Sequence, residues 1–252
     1  MSNRFMNQVA VVTGGSTGIG LAIAKAVLEE GAKRVYITGR TARTLGEATK
    51  LLGERAVSVV SDVANLSDLQ KLKSEIDKRG DQLDVVFANA GIAENNNFGQ
   101  TTDIEFSKTF DINVKGMFFT VQTLLPLLKD GAAVVLTASI VANKGMEKLS
   151  LYNASKAAVR SFARSWANDL KARKIRVNAL SPGLTETPIM KNGLKMDDTQ
   201  MAALHDFAAG AVPLGYVAQP DEIATAALFL ASSDARYVNG IELTVDGGYS
   251  QV

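Results

Sequence analysis

Short runs of valine, isoleucine and alanine alternate along this chain with longer stretches of helical periodicity, and the alternation limits the folds open to it. The runs are VAVVT (9–13), VYIT (35–38), AVSVVS (56–61), DVVFA (84–88), AVVLTA (133–138), IRVNAL (175–180) and ELTV (242–245). Amphipathic stretches near 19–30, 43–52, 67–79, 103–128, 150–173 and 221–231 separate them. Strands that are apolar without interruption are buried on both faces, as in a parallel sheet. Regular β-α alternation then calls for helices on both sides of that sheet. The reading is an α/β fold: a single doubly wound Rossmann-type domain over 1–252, with a predominantly parallel seven-stranded sheet.

The region 186–216 breaks the rhythm, being longer than an ordinary connection between elements. It carries Met190, Leu194, Met196, Met201, Leu204 and Phe207 at roughly helical spacing. Two readings fit: an amphipathic helix packed on the domain, or a lid over an apolar substrate pocket.

Composition narrows the chemistry. A formal net charge of +1 gives no footprint for nucleic acid or an anionic membrane. The absence of cysteine excludes disulfides, thiolate nucleophiles and cysteine-based metal sites, and fits a reducing compartment. No metal-ligand cluster stands out. The N-terminal stretch lacks the long apolar core of a signal peptide, and no apolar run approaches the ~18 residues of a membrane span. A soluble, cytoplasmic protein is the expectation.

The first strand runs into TGGSTGIG (13–20) and then into the helical LAIAKAVLEE. Glycines at a strand-to-helix turn let the backbone approach a pyrophosphate, while the helix start presents N–H donors. The candidates there are Gly14, Ser16, Thr17, Gly18, Ile19 and Gly20. NAD-binding folds place an acidic residue about 20 positions on, and NADP-binding folds an arginine nearby. Here the second strand ends VYITGRTART, without Asp or Glu. Gly39, Arg40 and Thr41 occupy its tip, with Arg43 one helical turn beyond. A guanidinium suits a 2′-phosphate, so the reading is NADP(H) over NAD(H); the alternative is a solvated loop charge.

LYNASK (151–156) places Tyr152 and Lys156 four apart, neighbours on one helix face. A cation beside a phenol favours the phenolate and draws its pKa down, which suits proton transfer at neutral pH. A solvated helix face is the plain alternative.

TGGSTGIG, NAG (89–91), Ser139, YNASK (152–156) and PGLTET (182–187), continuing to VDGGYS (245–250), together resemble the short-chain dehydrogenase/reductase family. The likeness runs over essentially the whole chain. It implies hydride transfer between NADP(H) and a carbonyl or secondary alcohol. Ser139 would hydrogen-bond the carbonyl oxygen, Tyr152 transfer the proton, and Lys156 tune the tyrosine and hold the nicotinamide ribose. Asn113 would complete the tetrad through a water-linked relay; a side-chain-to-backbone bond is the competing reading. The resemblance further assigns Asp62 and Val63 to the adenine edge, with a turn cap as the alternative for Asp62. Asn89, Ala90 and Gly91 would shape the crevice, and Pro182, Gly183, Thr185 and Thr187 would hold the nicotinamide end.

Thr185, the PLGY at 213–216 and the stretch IVANKGMEKLSL (140–151) depart from the family's common pattern, all around the substrate region. Substrate contacts are expected from Ser139, Val141, Met146, Leu149, Tyr152 and Met190, with Ile140 and the segment 94–97 as further walls. A ketone or aldehyde with apolar substituents is the first substrate class. The alternatives are a 3-oxoacyl-carrier-protein substrate, docking on Lys171, Arg173, Lys174 and Arg176, and a catalytically silent dinucleotide sensor. The family also implies a homo-oligomer, a tetramer favoured, through the two long helices and the C-terminal strand. Phe162 and Trp166 offer either an interface stripe or core packing.

Overall fold

The strands assemble because their side chains alternate between two apolar layers. In the first strand Val9 and Val11 point into one layer, and Ala10 and Val12 into the other. The computed structural model describes residues 3–252; the first two residues of the N-terminal stretch lie outside it. Seven strands form one sheet: β1 (Val9–Val12), β2 (Arg34–Gly39), β3 (Ala56–Val60), β4 (Leu83–Ala88), β5 (Leu128–Thr137), β6 (Arg176–Pro182) and β7 (Glu242–Val245). Their order is β3-β2-β1-β4-β5-β6-β7, and every pairing is parallel. The order reverses between β1 and β4, the place where such sheets open a ligand crevice beyond their C-terminal ends.

Helices α1 (Gly18–Glu29), α2 (Ala42–Leu52) and α9 (Pro220–Ala231) contribute to the first apolar layer. Helices α3 (Leu66–Asp77), α5 (Met117–Leu124) and α6 (Ser150–Asp169) contribute to the second. Phe162 and Trp166 stack at 4.8 Å on α6 and meet Phe118 of α5 edge-on at 5.7 and 5.6 Å. Both rings are half-buried against the second layer, so they serve the core while keeping an exposed side.

Two differences from the sequence reading have physical causes. The helix expected over 103–128 is interrupted. Helix α4 (Asp103–Phe110) opens with a Thr102/Glu105 capping box. A π-helical turn (Asp111–Gly116) follows before α5, and a 3₁₀ turn at Leu125–Leu127, with Pro126 in its first turn, ends the run. In the wide turn Asn113 bonds the backbone of Ile92, and Gly116 packs where a Cβ would lie 2.8 Å from Val63. The second difference is at β5, which starts at Leu128, not at residue 133. Gly131, at φ +82°, accommodates the irregular register there.

The irregular region holds α7 (Pro188–Asn192) and α8 (Asp198–Ala211). Met190 and Met201 face inward, while Phe207 is exposed and meets Tyr249 edge-on at 5.9 Å. Among the described residues no helix is long and apolar enough to cross a membrane.

Candidate active site

A cavity of about 540 Å³ opens at the C-terminal ends of the strands, within the size range of small-molecule sites. The cofactor residues singled out from the sequence line it, as do Val141, Met146, Leu149 and Met190 from the substrate candidates. Of the four catalytic candidates Ser139, Tyr152 and Lys156 line it, and Asn113 lies behind its wall, fully buried.

At one end is the turn between β1 and α1. Gly14 sits at φ +65°, a conformation glycine takes without strain. Gly20 serves packing: a Cβ there would lie 2.3 Å from the Gly14 carbonyl oxygen and 2.6 Å from Asn89 Nδ2. The NAG segment is stitched to β1 by Thr13, a residue the motif reading passed over. Its hydroxyl accepts from the N–H groups of Asn89 and Ala90, both at 3.0 Å, and Asn89 Nδ2 returns a bond to the Thr13 carbonyl. Helix α1 has no side-chain cap and no acidic residue in its first turn, so its leading N–H donors face the cavity beside Gly18, Ile19 and Gly20.

Beyond that turn lies the tip of β2. Arg40 is exposed and has no hydrogen bond or ion pair among the described residues. Arg43 instead pairs with Glu47 at 2.7 Å along its own helix. Asp62 lines the cavity, and its Oδ1 accepts from the Ala64 N–H at 3.0 Å as the turn-cap reading expects. Ser61 beside it carries a buried hydroxyl without a partner. An uncapped helix start, a free guanidinium and an orphaned hydroxyl around one cleft fit the phosphates and adenosine of a dinucleotide.

The opposite end carries the proton-transfer candidates. Ser139 follows β5 and begins the 3₁₀ turn Ile140–Ala142, where its Oγ accepts from the Val141 N–H at 3.4 Å. The half-buried Tyr152 and the buried Ser139 both line the cavity. Burial pushes the Tyr152 phenol above its ordinary value, and the nearby Ser139 hydroxyl draws it part of the way back. This differs from the tuning by Lys156 expected from spacing. The Lys156 ammonium lies 5.6 Å from the Tyr152 ring centroid and donates to the Thr137 carbonyl at 2.8 Å. Burial brings Lys156 itself down to about 8.

Asn113 makes the side-chain-to-backbone bonds of the competing reading. Its Oδ1 accepts from the Ile92 N–H at 2.8 Å, and its Nδ2 donates to the Ile92 carbonyl at 2.9 Å. Nδ2 also donates to Ser155 Oγ at 3.0 Å, and Ser155 donates to the Tyr152 carbonyl at 2.8 Å. The amide thus braces the turn of α6 that carries the tyrosine. Gly91 lies between Asn113 and Lys156, a Cβ there falling 3.2 and 3.4 Å from Oδ1 and Nζ.

Val141, Met146, Leu149 and Met190 form an apolar wall near this end, joined by Ile189 of α7 and by Leu194, which lies just beyond the end of that helix. Glu94 lines the cavity with its carboxylate on Lys108 at 2.6 and 2.8 Å. Asn95, Asn96 and Asn97 do not. Asn96 is buried elsewhere, donating to Ser150 and Thr101 and accepting from the Leu151 N–H, where it fixes the start of α6. The segment 188–194 abuts the loop after β4: Asn95 donates to the Leu194 carbonyl at 3.1 Å.

A family model described as "Enoyl-(Acyl carrier protein) reductase" matches residues 14–250. The chain is 40% identical to an oxidoreductase (asL5) of Sarocladium schorii, over 99% of this chain and 98% of that one. It is 36% identical to an NADP-dependent (R)-specific alcohol dehydrogenase of Lentilactobacillus kefiri, over 99% of both. The crystal structure of levodione reductase superimposes with a TM-score of 0.91 at 29% identity, covering 98% of this chain and 99% of that one.

Proposed function

This chain belongs to the short-chain dehydrogenase/reductase family, and from that premise we propose that it is an NADP(H)-dependent carbonyl reductase, reversible as a secondary-alcohol dehydrogenase. The observation that carries the reading is the Ser139–Tyr152 hydroxyl pair sharing one cleft with an uncapped helix start and a free Arg40.

When bound, the reduced nicotinamide supplies the hydride. The turn at 13–20 and the α1 N–H donors hold its phosphates, Arg40 the 2′-phosphate, Lys156 the nearer ribose, and Pro182 to Thr187 the ring end. Ser139 donates to the carbonyl oxygen where negative charge develops. Tyr152 then gives that oxygen its proton. A phenol whose pKa is raised by burial stays protonated at neutral pH, which suits the reductive direction. The phenolate left behind is stabilised by the Lys156 ammonium. Asn113 keeps the tyrosine's turn in place through Ser155.

The NADP(H) preference is supported by the acid-free tip of β2 and by the cofactor named for the Lentilactobacillus relative. The substrate end favours a ketone or aldehyde with bulky apolar substituents, and the segment 186–216 is its lid. The basic cluster of the carrier-protein alternative is smaller than its sequence suggested, with Lys171 and Lys174 exposed and the two arginines engaged. Arg173 is engaged by Asp130 and the Leu125 and Leu128 carbonyls, and Arg176 by carbonyls at the end of α9. A homo-oligomer through the α4–α6 face is part of the proposal; light scattering that finds only the 26.8 kDa species would refute it.

The testing experiment is initial rates with NADPH and NADH in parallel, against aryl and alkyl ketones, a β-keto ester and an acetoacetyl thioester. Oxidation of NADPH with the ketones is expected. A preference for NADH refutes the cofactor assignment, and a preference for the thioester restores the carrier-protein reading. Cofactor binding without turnover across the panel returns the silent sensor.

A further inference from the structure

Edge strand β7 begins with Glu242, whose side chain is only 10% exposed. Its two oxygens meet three groups. Oε1 accepts from Ser181 Oγ at 2.5 Å. Oε2 accepts from Asn143 Nδ2 at 2.7 Å and lies 3.1 Å from the Arg160 guanidinium, which also donates to the Gly240 carbonyl.

Each partner belongs to a different wall of the carbonyl end. Asn143 closes the 3₁₀ turn that Ser139 begins, its N–H bonded to the Ile140 carbonyl at 3.1 Å. Ser181 directly precedes Pro182 and Gly183 at the end of β6. Arg160 stands four residues after Lys156 and eight after Tyr152, on the same stripe of α6. None of the three side chains lines the cavity, and Glu242 does not either.

We infer that Glu242 is a positioning residue that holds the Ser139 turn, the Tyr152–Lys156 helix and the Pro182–Gly183 strand end in register for hydride and proton transfer. The inference rests on the roles proposed above for Ser139 and Tyr152. A neutral amide is a poor substitute: it keeps both bonds only if Ser181 turns its hydroxyl to accept from the new Nε2, and it brings no charge. It would also leave the mostly buried Arg160 without its counter-ion.

The test compares Glu242→Gln and Asn143→Ala in the full chain by amide hydrogen exchange without cofactor, by NADPH titration and by steady-state kinetics. Faster exchange at Ala142, Asn143 and Lys144 is expected in both variants. In Glu242→Gln, kcat should fall about 10²-fold, the size of effect produced by a small misplacement of reacting groups. NADPH affinity should stay within about two-fold, since most of that ligand's contacts lie at the other end. The double variant should be no worse than Glu242→Gln alone, because both changes cut one network.

Unchanged exchange at 142–144 overturns the inference, and so do kinetic losses that simply add. If Glu242→Gln fails to fold, Asn143→Ala decides alone, since it leaves the Arg160 ion pair in place. A wild-type protein that reduces no carbonyl would refute the proposed function, while the exchange measurement still judges the tether.

Discussion

Asp81 and Lys156 are both buried ionisable groups at opposite ends of the sheet, and their surroundings differ in kind. Asp81, just before β4 at the end remote from the cavity, receives hydrogen bonds from Tyr36 at 2.7 Å, Lys33 at 3.0 Å and Arg34. Burial alone pushes its carboxyl up, but those three donors outweigh it and hold the group below the ordinary carboxylate range. Tyr36, buried and giving its proton to that bond, is pushed up to about 12. Lys156 has one protein acceptor, the Thr137 carbonyl, and burial drives it down without compensation. A polar group whose bonds are all met by the protein stabilises the fold. One left short of partners inside a cavity is disposed to bind or to transfer a proton.

Substitutions at the two ends should therefore separate activity from stability. The largest effect is expected from Tyr152→Phe, which removes the proton donor and keeps the ring. Its kcat should fall about 10²–10⁴-fold with little change in thermal midpoint; near-normal turnover would break the assignment of the cavity end. Next is Asp81→Asn, which leaves Arg34 and Lys33 facing a neutral amide. It should cost about 3 kcal/mol in denaturant titrations while kcat stays near wild type. A loss of activity without loss of stability would reverse the contrast.

Lys156→Met sharpens the contrast through pH. The fall from 10.5 to about 8 in the folded protein corresponds to about 3 kcal/mol of destabilisation while the amine is charged in both states. At neutral pH the variant should be the more stable protein and inactive. Between about 8 and 10 the folded wild type sheds this proton before the unfolded chain does, so its stability should rise relative to the variant. Above that range the raised Tyr152 enters with the opposite sign. A gap between the two melting curves that does not narrow as pH rises would mean Lys156 is not desolvated as described. The smallest effect separates the two arginines near β2. Arg40→Ala should weaken NADPH binding about ten-fold, the scale of one charge-assisted bond. Arg43→Ala should change it less than about two-fold, because that side chain is already paired on an exposed helix face.

What the sequence disclosed follows the same division. Strand positions and sheet class were readable because uninterrupted Val/Ile/Ala runs have few other uses, and the strands lie within a few residues of their expected places except at the start of β5. The cavity lining was readable from motif order. Less accessible were features set by tertiary contact. The π turn at 111–116 has no periodic signature, because it exists to let Asn113 reach Ile92 and Gly116 reach Val63. Thr13 looked like the end of a strand until its hydroxyl was seen holding two N–H groups of the NAG segment. The Tyr152–Lys156 spacing suggested a coupling that distance and burial modify: desolvation governs each group separately in the structure. Asn96 and Asn97 looked like pocket amides, and the loop turns them elsewhere.

The π turn also acts as a phase shifter. A turn that holds an extra residue rotates everything after it by about 100° relative to an unbroken α-helix. Phe118 stands eight residues after Phe110 and would lie about 80° away from it on an unbroken α-helix; the extra residue brings it back to within about 20°. The face that carries Phe106 and Phe110, stacked at 4.5 Å, therefore continues to Phe118, which meets Phe162 and Trp166. One stretch of chain thus keeps its facing through an irregular turn without a loop. Deleting a single residue from 111–116 would remove the turn yet leave both halves facing as they do, and the loss would fall on the reach of Asn113 and Gly116 instead.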